Sequence, residues 1–399
     1  MYDAAYRYRF YPTPEQADLL NRTFGCVRVV YNRARAMREE AWKNGKQKCG
    51  LHETKRMLPL WKNDPTLSWL KEVSSVSLQQ AMYHLQAAYT NFFEKRAKYP
   101  GYRRKGERQT AEFTRAAFTY QDGTLTLAKM AQPLDIKWSR DLPSEPSTVT
   151  VIREADGRWY VACRVQIEPE PLVGGRDHIG IDLGLIDLVT LSTGEKIPNP
   201  RHLKKRQRRL ARDLRRLARK QKGSRNRVKA KRRVARSHSA VRHARQDFHH
   251  KLSTRLVREN QAITVETLNI KGMVKNKRLA KVIHDAAWGE LVRQIRYKCK
   301  WYGRDFGQTR RFFPGTITCS ECGTTGHVLS LKDRTWTCPD CGTLHDRDIN
   351  AAKNHEAAGR RQRPAERRSV GRPEGRTHVA VKQEIRVVRH GSPRLKAGE

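Results

Sequence analysis

Two pairs of cysteines, Cys319-x2-Cys322 and Cys338-x2-Cys341 with fifteen residues between them, form the densest set of metal-ligating side chains in the sequence. Each C-x-x-C turn aims two thiolates at one point. Four thiolates close a tetrahedral shell, so a Zn2+ ion held there is structural and keeps no open position for a reacting water. Two disulfides, or four unconnected thiols, are the alternatives. The other cysteines, Cys26, Cys49, Cys163 and Cys299, stand scattered, which suits a reducing compartment better than a secreted disulfide framework.

Three acids occupy positions that their neighbours make costly. Asp182 interrupts the apolar run HIGIDLGL, and Glu266 ends the β-branched run AITVE. A carboxylate in such a place is buried at a penalty unless it is paired or bound to a cation. Asp348, in HDRDINAAKN, stands where a helix begins, so backbone N–H groups can orient it. Carboxylates from two strand ends and a helix start can converge on two Mg2+ ions, which clamp the attacking and leaving oxygens in phosphodiester hydrolysis. Each acid also has a plainer role: Asp348 as a helix N-cap, Glu266 as a strand-end acid, Asp182 as a partner of the turn at Gly184. Asp187 and Asp346 compete for the site. No Ser, Cys or His stands in a local nucleophile motif, so covalent hydrolase chemistry is unsupported.

A third signal is charge. The 399 residues include 82 Lys+Arg against 40 Asp+Glu, a formal net charge of +42, the balance of a polyanion binder. Residues 201–250 alone hold 21 basic residues against Asp213 and Asp247. So few local partners favour phosphate contact over a merely solvated helical face. Lys204, Lys205, Arg208 and Arg209 lead that run. Tyr102, Arg103 and Arg104, in YPGYRRK, either stack on bases or anchor a loop. An apolar share of 37% and no long apolar run exclude a membrane span, and the first residues lack a secretion signal, so a cytoplasmic location is expected.

The elements that must position these groups follow from periodicity. Residues 4–11 alternate as a strand, and Thr13-Pro14 opens a helix expected to reach about Phe24. Helical spacing continues over 26–93, as in Leu78, Met82, Leu85, Ala88 and Phe92. Strands are expected at 113–118, 124–127, 148–152 and 159–165, with tight turns at Asp122-Gly123 and Asp156-Gly157. A linker near 169–175 precedes a strand pair over 178–192, turning at Gly184. A basic helical hairpin broken near Gly223-Ser224 should fill 201–250, with Leu203, Leu210, Leu214 and Leu217 as its apolar stripe. Phe248, Leu252 and Leu256 then mark a helix packed on the core, 262–266 a buried strand, 285–302 a helix and 348–357 another. The tail from 358 onward is rich in Arg, Pro and Gly and is expected to be disordered.

Taken together, GIDLGLIDLVTLSTG, the acid in ITVETLNIKGM, the helix DAAWGELVRQIRYKCKWYGR and the ordered pair TCSECG…RTWTCPDCGTLHDRDINAAKN resemble the TnpB family of transposon-encoded RNA-guided DNA nucleases, relatives of type V CRISPR effectors. The N-terminal pieces YRFYPTPEQ, VRVVYNRA, SLQQAMYHLQAAYTNFF and YPGYRRKG resemble the same family, so the likeness covers nearly the whole chain.

The resemblance implies an α/β multidomain protein. A β-barrel-like wedge (1–11 and 110–172) would carry an inserted helical recognition module (12–109). An RNase H-like RuvC nuclease domain (176–314 and 344–358) would carry a zinc-ribbon, target-strand-loading insertion (315–343), with a basic tail at 359–399. The family's catalytic acids match Asp182, Glu266 and Asp348, and Asp187 and Asp346 drop to supporting roles. Implied cofactors are two Mg2+ ions, one Zn2+ ion and a guide RNA from the transposon end. The implied partner is double-stranded DNA cut beside a short motif, by one protein copy per ribonucleoprotein at the nucleoid. Ser75, Val76 and Gln79 match the family's motif-reading face, although two differ in type from its usual residues, leaving the motif open. A non-catalytic guided repressor and a metal-dependent transposase are the competing functions, and three intact acids weigh against the first.

Overall fold

The computed structural model describes residues 1–326, 329–330 and 332–369, the last eight as helical backbone alone. The described residues divide into two compact units: 1–167 together with 219–236, and 168–218 together with 237–369.

The first unit joins a sheet to helices. Strand β1 (Tyr2–Phe10) leads to α1 (Pro14–Lys43), which Thr13 caps in a reciprocal pair with Gln16 behind a first-turn proline. This single helix of 30 residues runs through Phe24, where the sequence suggested a stop, because Phe24, Val27, Val30 and Tyr31 continue its buried face past Gly25. Helices α2 (Leu51–Asn63) and α3 (Ser75–Phe93) complete the helical layer. Strands β2 (Gln109–Thr114), β3 (Phe118–Gln121), β4 (Thr124–Leu127), β5 (Ile136–Lys137), β6 (Thr148–Arg153) and β7 (Trp159–Ile167) follow. They form an antiparallel sheet in the order β2-β6-β7-β1-β5 and a separate β3-β4 hairpin, which turns at Asp122-Gly123, both with positive φ. The expected single strand 113–118 is interrupted by a short 3-10 turn at Arg115–Ala117.

The second unit is built on β8 (Arg176–Asp182), β9 (Asp187–Leu191), β10 (Lys196–Pro198), β11 (Asn260–Val265) and β12 (Asp305–Gln308), in the order β10-β9-β8-β11-β12. The first three pair antiparallel, while β8, β11 and β12 run parallel. Between them come the helices α4 (His202–Ala218) and α5 (Arg225–Glu259), the latter beginning in residues that group with the first unit, then α6 (Ile270–Met273), α7 (Lys277–Ala286) and α8 (Trp288–Trp301). Two expectations change here. The hairpin's second arm and the helix marked by Leu252 and Leu256 are one helix of 35 residues. The helix expected over 285–302 is broken by Ala287 in the left-handed region, so that Asp285 belongs to α7.

Ile179, Ile181, Val189, Leu256, Ile263, Val265, Leu291 and Ile295 form a continuous core behind this sheet. The strands β13 (Thr335–Thr337) and β14 (Leu344–Asp346) pair before the last helix, α9 (Arg347–Ser369). Helix α9 overruns residue 358, so the first part of the expected disordered tail is helical; the rest of that tail lies outside the described residues. Among the described residues no helix is long and apolar enough to cross a membrane.

Candidate active site and metal centre

Register brings the first two acids together. In the parallel pair, Ile179 lies beside Ile263 and Ile181 beside Val265, so Asp182 and Glu266 leave the same edge of the sheet at adjacent strand ends. The carboxyl ends of parallel strands are where open α/β sheets place their ligand sites. The Glu266 N–H reaches the Ile181 carbonyl at 3.4 Å, and the Leu183 N–H donates to Glu266 Oε1 at 2.7 Å.

The third acid arrives on α9, which crosses β8 and β11 at close range. A Cβ on Gly180 would collide with the Ala352 carbonyl oxygen, and one on Gly359 with Thr264 Oγ1. Glycine at these two places lets helix and sheet approach, with Ala351 and Ala352 buried between them. Asp348 then stands in the first turn, oriented by a cap that it does not itself make. Oδ1 of Asp346 accepts the N–H groups of Asp348 and Ile349 at 3.1 Å each, while Lys196 Nζ donates to Asp346 Oδ2 at 2.7 Å. Although burial acts against it, Asp346 is held below the usual carboxylate range by Lys196 and these N–H groups. Asp187 opens β9, and its carbonyl closes over Gly184 at the turn.

The electrostatics of the cluster are those of crowded acids. Burial pushes Glu266 up to about 8, Asp182 and Asp348 add to the rise, and the Leu183 N–H opposes it. Asp348 is raised by burial and then by Asp182, with Lys196 and Arg334 acting in the other direction. Carboxylates that resist ionising beside one another are stabilised when a divalent cation joins them. The carboxylates are hard oxygen donors, which fit Mg2+.

Sequence reasoning missed a fourth member. The ligating atoms of Asp182, Glu266 and His355 all lie within 4.8 Å of one another, a grouping that Asp348 does not share. His355 follows Asp348 by seven residues, two helical turns, and so shares its face of α9. That spacing was the one signal in the sequence, carried by a histidine that stands alone in a polar stretch.

The four cysteine sulfurs also lie within 4.8 Å of one another, and no disulfide joins any of the eight cysteines. Cys319 and Cys341 are 3.7 Å apart, as are Cys322 and Cys338. A tetrahedron with Zn–S bonds of about 2.3 Å has edges of roughly 3.8 Å, so these two pairs match the edges of a four-thiolate Zn2+ site. The two knuckles share one backbone design. The Cys319 and Cys338 N–H groups bond the carbonyls of Thr324 and Thr343, and the Gly323 and Gly342 N–H groups bond back to the carbonyls of Cys319 and Cys338. His345 Nε2 lies 3.1 Å from Cys319 Sγ.

Helix α9 holds both sites in one frame. Asn350 and Asn354, one turn apart, donate to the Gly315 and Thr318 carbonyls, and Asn350 Oδ1 accepts the Ser320 N–H at 2.8 Å. The asparagines of INAAKN thus clamp the segment of chain that leads into the first knuckle, while His355 faces Asp182 and Glu266.

The expected nucleic-acid contacts are placed in two ways. Lys204, Lys205, Arg208 and Arg209 are exposed along α4. That helix is set by Asp285, whose carboxylate accepts the Leu203 N–H and an Arg245 guanidinium bond, and by Asp213, which accepts from Ser237 at 2.7 Å. Ser75 and Gln79 line a groove of about 420 Å³ with Lys55, Lys62 and Lys71, with Val76 half-buried beside them. Arg104 is exposed. Tyr102 carries the Arg35 guanidinium over its ring at 3.7 Å, and Arg103 lies over Tyr31 at 4.0 Å, contacts that anchor this loop.

Fold and sites together define a multidomain α/β protein with a carboxylate cluster at parallel strand ends and a separate four-thiol cluster. Residues 161–277 match the family described as "Probable transposase", residues 288–355 the "Cas12f1-like, TNB domain" and residues 1–47 a "Helix-turn-helix domain", which here is β1 followed by α1 alone. The chain is 50% identical over 406 residues to "Putative RNA-guided DNA endonuclease" of Streptomyces pristinaespiralis, covering 98% of each chain. It is 30% identical over 373 residues to "Putative RNA-guided DNA endonuclease InsQ" of Escherichia coli K12, covering 89% of this chain and 92% of that one. Its fold is similar to that in "Cryo-EM structure of the Cas12f1-sgRNA-target DNA complex", with a TM-score of 0.53 at 14% identity over 86% of this chain and 83% of that one. The chain belongs to the TnpB family of transposon-encoded RNA-guided DNA nucleases.

Proposed function

We propose that this protein is an RNA-guided endonuclease that cuts double-stranded DNA beside a short motif, using Asp182, Glu266 and Asp348 to hold two Mg2+ ions. The observation that carries the reading is the convergence of Asp182 and Glu266 at paired strand ends, with Asp348 on α9 near enough for its charge to raise Glu266 and for Asp182 to raise Asp348. In this reading the second unit is a RuvC-type domain of the RNase H fold. Its strand order, an antiparallel trio continued by two parallel strands, supports that.

Bound cations supply charge at the attacking and leaving oxygens of the scissile phosphate. The chain's own part is to hold oxygens in place. Leu183 fixes one Glu266 oxygen, Asp346 and Lys196 set the first turn of α9, and the Gly180 crossing sets its height over the sheet. Cys319, Cys322, Cys338 and Cys341 would hold one Zn2+ ion that keeps residues 315–343 folded as a target-strand-loading insertion.

Residues 1–11 and 110–172 serve as wedge, 12–109 as recognition module, and 176–314 with 344–358 as nuclease domain. The guide RNA from the transposon end meets the exposed cations of α4, and Ser75, Val76 and Gln79 face the motif duplex. RNA that co-purifies with the chain, sequenced, tests the partner: a single species from the gene's 3′ flank is expected. The "Probable transposase" match favours a second reading, strand transfer by the same acids, which predicts joined DNA ends without any guide.

A further inference from the structure

His355 lies outside the three acids, yet it is built into their cluster. Its side chain is 5% exposed, and its Nε2 stands 3.7 Å from Asp182 Oδ1, beyond hydrogen-bond range. Nδ1 is buried with no hydrogen-bond partner. The Phe313 ring lies 5.6 Å from the imidazole, and Gly315 leaves room beside it, since a Cβ there would come within 3.2 Å of Cε1. A buried imidazole without a hydrogen bond is costly where an apolar side chain would pack as well. A cation shared with the carboxylates removes that cost. Two ligand atoms at about 2.1 Å from one ion lie roughly 3.0 Å apart in cis and 4.2 Å in trans, and the observed 3.7 Å falls between.

Ligand chemistry then sets the kind of ion. Mg2+ takes oxygen donors almost alone, whereas imidazole nitrogen suits first-row transition cations. We propose that His355 Nε2 is a cation ligand beside Asp182 and Glu266, and that this mixed nitrogen and oxygen set makes the site prefer Mn2+ to Mg2+. The inference rests on the reading of Asp182 and Glu266 as cation ligands.

The test is Mn2+ binding to the full chain with its four-thiol site zinc-loaded and other divalent cations and nucleic acid removed, followed by electron paramagnetic resonance, with Mg2+ as competitor. Wild type should bind Mn2+ at least about tenfold more tightly than Mg2+. His355→Gln should weaken Mn2+ binding about tenfold and leave Mg2+ within about twofold. Electron spin-echo modulation from nitrogen on the bound Mn2+ should be present in wild type, change on 15N-histidine labelling and vanish in His355→Gln. The labelled wild type needs no substitution, so the test survives a variant that fails to fold. Histidine modulation absent from the bound ion would overturn the proposal. Mn2+ binding that survives Asp182→Ala unchanged would instead overturn the underlying reading of the acids.

Discussion

Asp346 caps the helix that carries Asp348: its Oδ1 takes the Asp348 N–H at 3.1 Å, two residues away. The capping role that the sequence offered to Asp348 thus belongs to Asp346, which leaves the Asp348 carboxylate outside the cap. Replacing Asp346 by alanine should cost about 1 kcal/mol of stability through the missing cap. It should lower cleavage by more than the melting shift explains, because Asp348 loses its orientation. Asp346→Ser, which keeps a capping oxygen, should recover much of both. Thermal melts and guided plasmid cleavage on the two variants check this, and equal loss in both would deny the cap its role.

Glu266 predicts how the metal-free protein responds to pH. Its folded value, about 8, lies above the ordinary glutamate value of 4.5. A carboxyl raised on folding adds stability that is fully present below its unfolded value and lost as pH rises to the folded one. Stability of the metal-free chain should therefore fall between pH about 4.5 and 8, at up to about 1.4 kcal/mol per pH unit from this group. Saturating Mg2+ should flatten the decline, and cation uptake in that window should release about one proton. Calorimetric binding in buffers of different ionisation enthalpy measures that proton; uptake with no release would remove the coupled acids from the binding site.

For the cysteine cluster, elemental analysis should find one Zn2+ per chain, absent from Cys338→Ser. Chelation should open residues 315–326 and 335–346 to protease while the helices within 14–93 stay protected. Because Asn350 and Asn354 tie that segment to α9, the same treatment should also reduce cleavage. Protease resistance at 315–326 that survives complete zinc removal would exclude the four-thiol site.

Affinity for RNA should fall steeply with salt. Changing Lys204, Lys205, Arg208 and Arg209 together to alanine should flatten the slope of log affinity against log salt by about 0.7–0.9 for each phosphate that these side chains neutralise in wild type. An unchanged slope would mean that this face of α4 is merely solvated.

The residues that can be read from sequence are those whose neighbours make them expensive. Asp182 and Glu266 stand out because apolar, β-branched runs surround them, and the cysteines because their spacing has few other uses. Strand and helix identity was legible for the same reason, as in Ile179 and Ile181 on one side and Leu78, Met82 and Leu85 on the other. What stayed hidden depends on residues far apart in the chain. Phe24-Gly25-Cys26 reads as a break until the packing of Val27 and Val30 carries α1 through it. The left-handed Ala287 splits α7 from α8 with no glycine to announce it. His355, Asn350 and Asn354 stand in α9 with no local pattern to mark them, and their partners, Asp182 for the histidine and residues 315–320 for the asparagines, lie 30 or more residues away in the chain.

The central claim is that three carboxylates cut what the basic surfaces hold. Its most direct test is cleavage of a guided target plasmid with Mg2+ by wild type and Asp182→Ala, with binding of guide RNA and target measured on the same samples. The variant should bind both nucleic acids as wild type does and lose cleavage by about a thousandfold or more. Cleavage by Asp182→Ala at the wild-type rate would contradict the claim.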